Sequence, residues 1–270
     1  MVKSIFELER RFDFDKEFKR LFDYLSKAQF NSEFHLSSTF WNVADYYFEK
    51  WSNRLTAINS SDYFEDIGIN IKGFCDNTEK LYIMQFVLNY ISFLESSYYL
   101  PTKYKAPYKT VLQNILSILE SLNYKLAEDE EGRSFFTKRD ADVDSVLDIL
   151  ENEDDIRLLL LGYNDFRIEK DITAKRTILK RLGDYIEPKR QQYKGYNPTL
   201  TDNIFHLLNS MYIRHNHTPK QPQYKLLDEE YIQWYDNLFK MILHIIRTEE
   251  ISKTNKEVVV LKHTLKNLKD

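Results

Sequence analysis

Four residues near the C-terminal third of the chain carry the densest chemistry in the sequence: Arg214, His215, Asn216 and His217. A guanidinium can hold a phosphate oxygen through two hydrogen bonds and stabilise charge that develops on phosphorus. An imidazole titrating near neutrality can take a proton from a ribose 2′-hydroxyl or return one to a leaving oxygen. Asn216 can orient either partner. No metal is required for such a cleavage, because the nucleophile belongs to the RNA. The same residue types also suit a plain helix C-terminus, where cations meet the negative end of the dipole.

The elements around these residues have to place them. Leu200, Ile204, Leu207, Leu208, Met211 and Tyr212 recur at three- and four-residue intervals, which predicts an amphipathic helix. It runs into the Arg-His-Asn-His set and stops at Thr218-Pro219, so the four side chains are expected on its last turn. Upstream, Arg167 to Lys194 contains nine Lys or Arg against four acids and reads as a long charged helix, broken near Ile186 by Pro188. Lys175, Arg176, Lys180, Arg181, Lys189 and Arg190 from this stretch, with Lys220 beyond the cluster, are the candidate RNA-backbone contacts. A solvated helix face is the plainer reading of the same charges, and only a shared side with Arg214 would turn them into a track whose binding weakens with salt.

The rest of the sequence predicts a mainly α protein, built of helical bundles with one small β-hairpin. Its 270 residues are 43% apolar and 15% aromatic, with six Gly and six Pro. So few breakers favour long helices. Helices are expected over about 40–58, 81–99 and 108–124, and 231–247 is another, capped by Asp228. Segments 124–128 and 133–138 flank Asp129-Glu130-Glu131-Gly132 as a hairpin. Val258-Val259-Val260-Leu261 is short and β-prone. A domain boundary is placed near residue 165, giving a helical region with the hairpin over 1–164 and a helical domain over 165–270.

Composition narrows the function classes. A net charge of −4 argues against wholesale coating of nucleic acid, although a local basic face remains compatible with it. The single cysteine, Cys75, cannot form an internal disulfide. The N-terminus lacks an apolar core of signal-peptide length, and no run approaches a membrane span. A cytoplasmic protein without a membrane anchor is expected. No cofactor is expected, since the sequence carries no Gly-rich phosphate loop, nucleophile elbow or HExxH pattern. No metal is expected at the cluster either: His215 and His217, two apart on a helix, point to different sides, and no acid lies between Asn203 and Leu227. His206 borders the apolar stripe and reads as a satisfied structural histidine. Tyr46, Tyr47, Tyr98 and Tyr99 read first as core and second as stacking surfaces for bases.

Three pieces, DITAKRTILKRLGDYIEPKRQQYKG, the helix ending in MYIRHNH, and YIQWYDNLFKMILHIIR, together resemble the HEPN superfamily of helical domains found in toxins, abortive-infection proteins and other anti-phage systems. The resemblance covers about residues 165–250. It implies a metal-independent endoribonuclease that works as a homodimer, with Arg214 matching the motif arginine and His215 the polar residue after it. The family's histidine lies four to six residues beyond the arginine, where this chain has Thr218, Pro219 and Lys220. His217 stands closer. The layout of helical region, β segment and HEPN-like end is loosely similar to abortive-infection proteins of the AbiJ type. The expected function is therefore a ribonuclease of a toxin or phage-defence system, served by a neighbouring antitoxin or defence partner protein. The alternative is a catalytically silent HEPN-like binding or sensing module.

Overall fold

A computed structural model describes residues 12–30, 38–71, 73, 75–97, 99, 105–216, 218 and 222–267. The protein is mainly α-helical with one small antiparallel hairpin. It forms two compact units, Met1–Phe136 and Thr137–Asp270, and the division falls inside the second strand of the hairpin. No described helix is long and apolar enough to cross a membrane.

The first unit holds α1 (Phe14–Lys27), α2 (Phe40–Tyr47), α3 (Ser60–Asp66), α4 (Asn77–Ser96) and α5 (Lys105–Ser121). Helix α4 is its hub. It begins at a reciprocal cap in which the Asp76 carboxylate accepts from Glu79 N–H and the Glu79 carboxylate accepts from Asp76 N–H. It then buries Leu81, Ile83, Met84, Phe86, Val87, Leu88, Tyr90, Ile91 and Leu94. An aromatic cluster surrounds it, with Phe86, Tyr90, Phe48 and Trp51 rings 5–6.5 Å apart in stacked and edge-on pairs. The buried Tyr90 hydroxyl donates to the Ala44 carbonyl at 2.7 Å. The helix expected over 40–58 is shorter. It ends at Tyr47 and gives way to 3-10 turns at Phe48–Lys50 and Ser52–Arg54, closed by Leu55 in the left-handed region.

The expected hairpin is present as β1 (Tyr124–Glu128) and β2 (Ser134–Lys138). Its turn is organised by Asp129, whose carboxylate accepts from the N–H groups of Glu131 and Arg133. Gly132, at φ 72°, takes the one turn position where a Cβ would be strained.

The second unit holds α6 (Ala141–Ile149), α7 (Asp154–Tyr163), α8 (Ile172–Ile186), α9 (Arg190–Tyr196), α10 (Pro198–Ser210) and α11 (Asp228–Asn267). Residues 137–164, grouped by sequence with the N-terminal region, pack here. Val143, Val146, Leu147, Leu159, Leu160 and Tyr163 share one core with Leu179, Leu182 and Ile186 of α8, Ile204, Phe205 and Leu208 of α10, and Tyr235 to Ile246 of α11. The long charged helix breaks as expected. Pro188 lies in a 3-10 turn, Glu187–Lys189, between α8 and α9. Helix α10 starts on Asn197, whose side chain accepts from Leu200 N–H, with Pro198 at the first helical position. The β-prone Val258–Leu261 run belongs to α11, which continues as one helix to Asn267.

Candidate functional site: the loop after α10

Helix α10 stops earlier than its apolar stripe suggests. The Met211 N–H returns to the Leu207 carbonyl, and Tyr212 turns into the left-handed region at φ 56°. The Arg214 N–H then reaches back to the Leu208 carbonyl at 3.1 Å. Such a reversal leaves helix-end carbonyls and loop N–H groups without helical partners, and each needs one elsewhere. Gln223, 6% exposed, serves both ends of the reversal. Its Oε1 accepts from Tyr212 N–H and its Nε2 donates to the Asn209 carbonyl, both at 2.7 Å. The Tyr235 hydroxyl donates to the Met211 carbonyl at 2.8 Å. Arg214, His215 and Asn216 are therefore set on a buttressed loop, not on the last helical turn. His217 and Lys220 lie outside the described residues.

Arg214 is built into the fold. Its side chain is only 13% exposed; the guanidinium is hydrogen-bonded to the Glu187 carboxylate and lies 3.6 Å from Asp184. It also sits 5.5 Å from the Phe205 ring centre, and Arg190 sits 4.4 Å from the same ring. Arg190 in turn lies 3.7 Å from Glu187. Arg214 Nε and Nη2, like Arg190 Nε, are buried without a hydrogen-bond partner. Close approach of α8 makes this packing possible: a Cβ on Gly183 would meet Leu208 Cδ2 at 2.9 Å and Arg214 Nε at 3.3 Å. Two carboxylates, one of them shared with Arg190, thus face the Arg214 guanidinium and with the Phe205 ring fix its plane. His215 and Asn216, next along the chain, are exposed.

The basic residues of α8 and α9 do not act as one face. Lys175 is buried, and its ammonium donates to Asp236 at 2.6 Å while lying 4.3 Å from the Tyr163 ring centre. Arg176 Nε donates to the Tyr235 hydroxyl at 3.1 Å. Lys189 pairs with Glu249 at 3.2 Å. Lys180 and Arg181 are the members of the set that are exposed outright. His206 is exposed as well, with Nε2 2.9 Å from the Tyr224 hydroxyl oxygen, so it is hydrogen-bonded at the surface and not set into the core. In the first unit Tyr47 and Tyr99 stack on each other at 4.5 Å, Tyr46 is exposed, and Tyr98 lies outside the described residues.

A second polar group was not anticipated. Lys175, Asp236 and Tyr163 line a cavity of about 170 Å³ with Lys138, Asn164, Asp165 and Lys240. The Tyr163 hydroxyl donates to Asp236 at 3.0 Å. Burial, and then the Asp236 charge, push that phenol far above its usual range, so it remains a donor and not a base. The remaining acids are occupied: Asp165 is held by Arg167 at 2.5 Å, Glu169 by Lys138 at 2.6 Å, and Asp140 accepts from the Asp142 and Val143 N–H groups at the start of α6. With Arg167 and Asp140 counted, four cations face four carboxylates, which fits a structural ion-pair cluster. A sequence signal existed, because Lys175 stands on the same helical stripe as Leu179, Leu182 and Ile186.

Among the described residues, no group of three or more His, Cys, Asp or Glu is arranged to hold a metal ion. No protein-family model, no curated protein and no solved structure matches the chain.

Proposed function

We propose that the chain is a metal-independent endoribonuclease of a toxin or anti-phage defence system, with its reaction centred on the loop after α10. One observation carries the reading: an arginine whose plane is fixed by Glu187, Asp184 and Phe205 is followed at once by two exposed polar side chains, His215 and Asn216. In this scheme Arg214 orients the scissile phosphate and stabilises its developing charge. His215 and His217 exchange protons with the 2′-hydroxyl and the leaving oxygen, and Asn216 positions them. The 2′-oxygen attacks phosphorus, the P–O5′ bond breaks, and the proton lost by the first oxygen is matched by one gained by the second. Lys180 and Arg181 supply backbone contacts. A homodimer, and an antitoxin or defence partner protein, belong to the same proposal.

The burial of Arg214 favours a second reading. A largely buried arginine paired with carboxylates of its own fold is a good anchor for a loop, and a catalytically silent binding or sensing module needs no more than that. RNA cleavage in EDTA separates the two. Wild type is compared with Arg214→Lys, which keeps a cation beside Glu187, and with His215→Ala and His217→Ala. The nuclease reading expects cleavage by wild type and its loss in Arg214→Lys and in at least one histidine variant, with unchanged circular dichroism. Equal cleavage by all four proteins removes the proposed site, and RNA binding without cleavage by wild type selects the silent module.

A further inference from the structure

Helix α11 changes environment half-way along. Up to Glu249 it walls the core of the second unit, and Arg247 turns to Asp142 at 2.5 Å. Beyond that point its apolar residues are exposed. Ile251, Val258, Leu261 and Leu265 are 56%, 40%, 58% and 53% exposed, yet the segment remains helical. Their spacing is ordered. Ile251, Thr254, Val258, Leu261 and Leu265 follow one another at alternating steps of three and four residues, the repeat of a coiled-coil seam. Thr254 fits this seam, since its hydroxyl is satisfied by the Glu250 carbonyl at 3.3 Å.

From this we infer that residues 251–265 of α11 pair in parallel with the same segment of a second copy of the chain. Three features select that occupant. Ile251, Val258 and Leu265 form one seam row, which begins with two β-branched residues, and Leu261 stands in the other, the arrangement that favours a parallel two-stranded coil. In that register Glu257 flanks the seam opposite Lys262 of the partner, and symmetry forms the pair twice. An antiparallel pairing turns the Glu257 flank towards its own copy and the Lys262 flank towards its own copy, and so forms no such pair. Finally, the segment continues a helix whose first half is already held by the core, so the costly nucleation step is complete before pairing begins. The homodimer of the ribonuclease reading has no assigned interface; this inference supplies one from residues outside the loop, so seam variants and loop variants test the two separately.

The seam is about 21 Å long at 1.5 Å per residue. An interface of that size falls below roughly 1,200 Å², which implies micromolar, reversible association. Sedimentation velocity of the full chain from roughly 1 to 200 μM brackets that range. The expected result is a monomer–dimer equilibrium that disappears in Val258→Glu/Leu261→Glu. That variant keeps its fold, because both side chains are exposed in the monomer. Glu257→Lys is expected to weaken the dimer about five-fold, and Glu257→Lys/Lys262→Glu to restore it. A wild type that stays monomeric throughout, or a dimer that survives the double glutamate variant, overturns the proposal. Absence of restoration by the charge swap overturns the parallel register. Binding of the segment to a different protein, or to vesicles, by an otherwise monomeric chain counts against it in the same way.

Discussion

The ion pair between Lys175 and Asp236 has unequal partners, and that inequality predicts unequal mutational costs. Lys175 has 6% of its side chain exposed, whereas Asp236 has 43%. In Asp236→Asn the ammonium remains buried with its counter-charge gone, and Tyr163 loses a charged acceptor. Stranding a buried charge in this way costs about 3 kcal/mol, the lower end for a broken buried pair. In Lys175→Met the exposed carboxylate stays hydrated and still accepts from Tyr163, while the methionine chain refills the space of the lysine stem. Loss of a half-exposed pair and of a ring contact then costs only about 1 kcal/mol. At ~3 °C per kcal/mol for a unit of this size, the melting points fall by about 9 °C and about 3 °C. Urea titrations give the same ranking through Cm with m unchanged. The double variant Lys175→Met/Asp236→Asn is expected to be more stable than Asp236→Asn alone, because no charge is left stranded. Equal costs for the two single variants, or a double variant whose loss is their sum, refute the reasoning.

Further predictions follow the same contacts. Gly183→Ala forces a Cβ against the fully buried Leu208 and against Arg214, and is expected to destabilise by about 1–2 kcal/mol in urea; an unchanged midpoint rejects the tight α8–α10 approach. Gln223→Ala removes both Gln223 braces and leaves only that of Tyr235, with an expected loss of about 2 kcal/mol and faster amide exchange at Tyr212 and Arg214; exchange equal to wild type counts against the bracing role. Burial first, and then neighbouring carboxylates, raise the Tyr163 and Tyr193 phenols above their usual value. The unfolded chain therefore loses these protons first, so their contribution is complete below roughly pH 10 and declines as pH rises beyond it. Melting points are expected to drop across that range, less steeply in Tyr193→Phe, and a flat profile rejects the assignment.

How far the sequence reached depended on whether the deciding contact was local. Pro188 removes an N–H and clashes within its own helix, so the α8–α9 break could be read directly. The hairpin was equally local, since Asp129 and Gly132 make its turn. By contrast, the end of α10 is set by Gln223 and Tyr235, eleven or more residues away in sequence, and no local pattern announces that they converge on Tyr212 and Met211. The sequence reading therefore carried the helix about two turns too far. Lys175 was legible in principle. Its position on the buried stripe outweighs its charge only if a partner waits opposite, and that partner is on α11. Val258 to Leu261 could not be placed from composition, because β-branched residues suit a strand while their helical continuity is decided by the well-anchored turns before them.

Helix α11 also sets the phase of everything packed on it. Tyr235 fixes Met211 in the loop, the adjacent Asp236 receives Lys175 and Tyr163, and Glu249 receives Lys189 and the Tyr193 hydroxyl. These three side chains are read out at fixed angles around one rod, about 100° apart per residue. A single inserted or deleted residue between Asp228 and Tyr235 would advance or retard that rod against the loop while leaving every amino acid that touches the loop chemically intact. The same change after Glu250 would turn only the projecting half. The chain thus separates into a stretch whose length is coupled to the loop and a stretch whose length is coupled only to its own seam, and a change in the second leaves the first in phase.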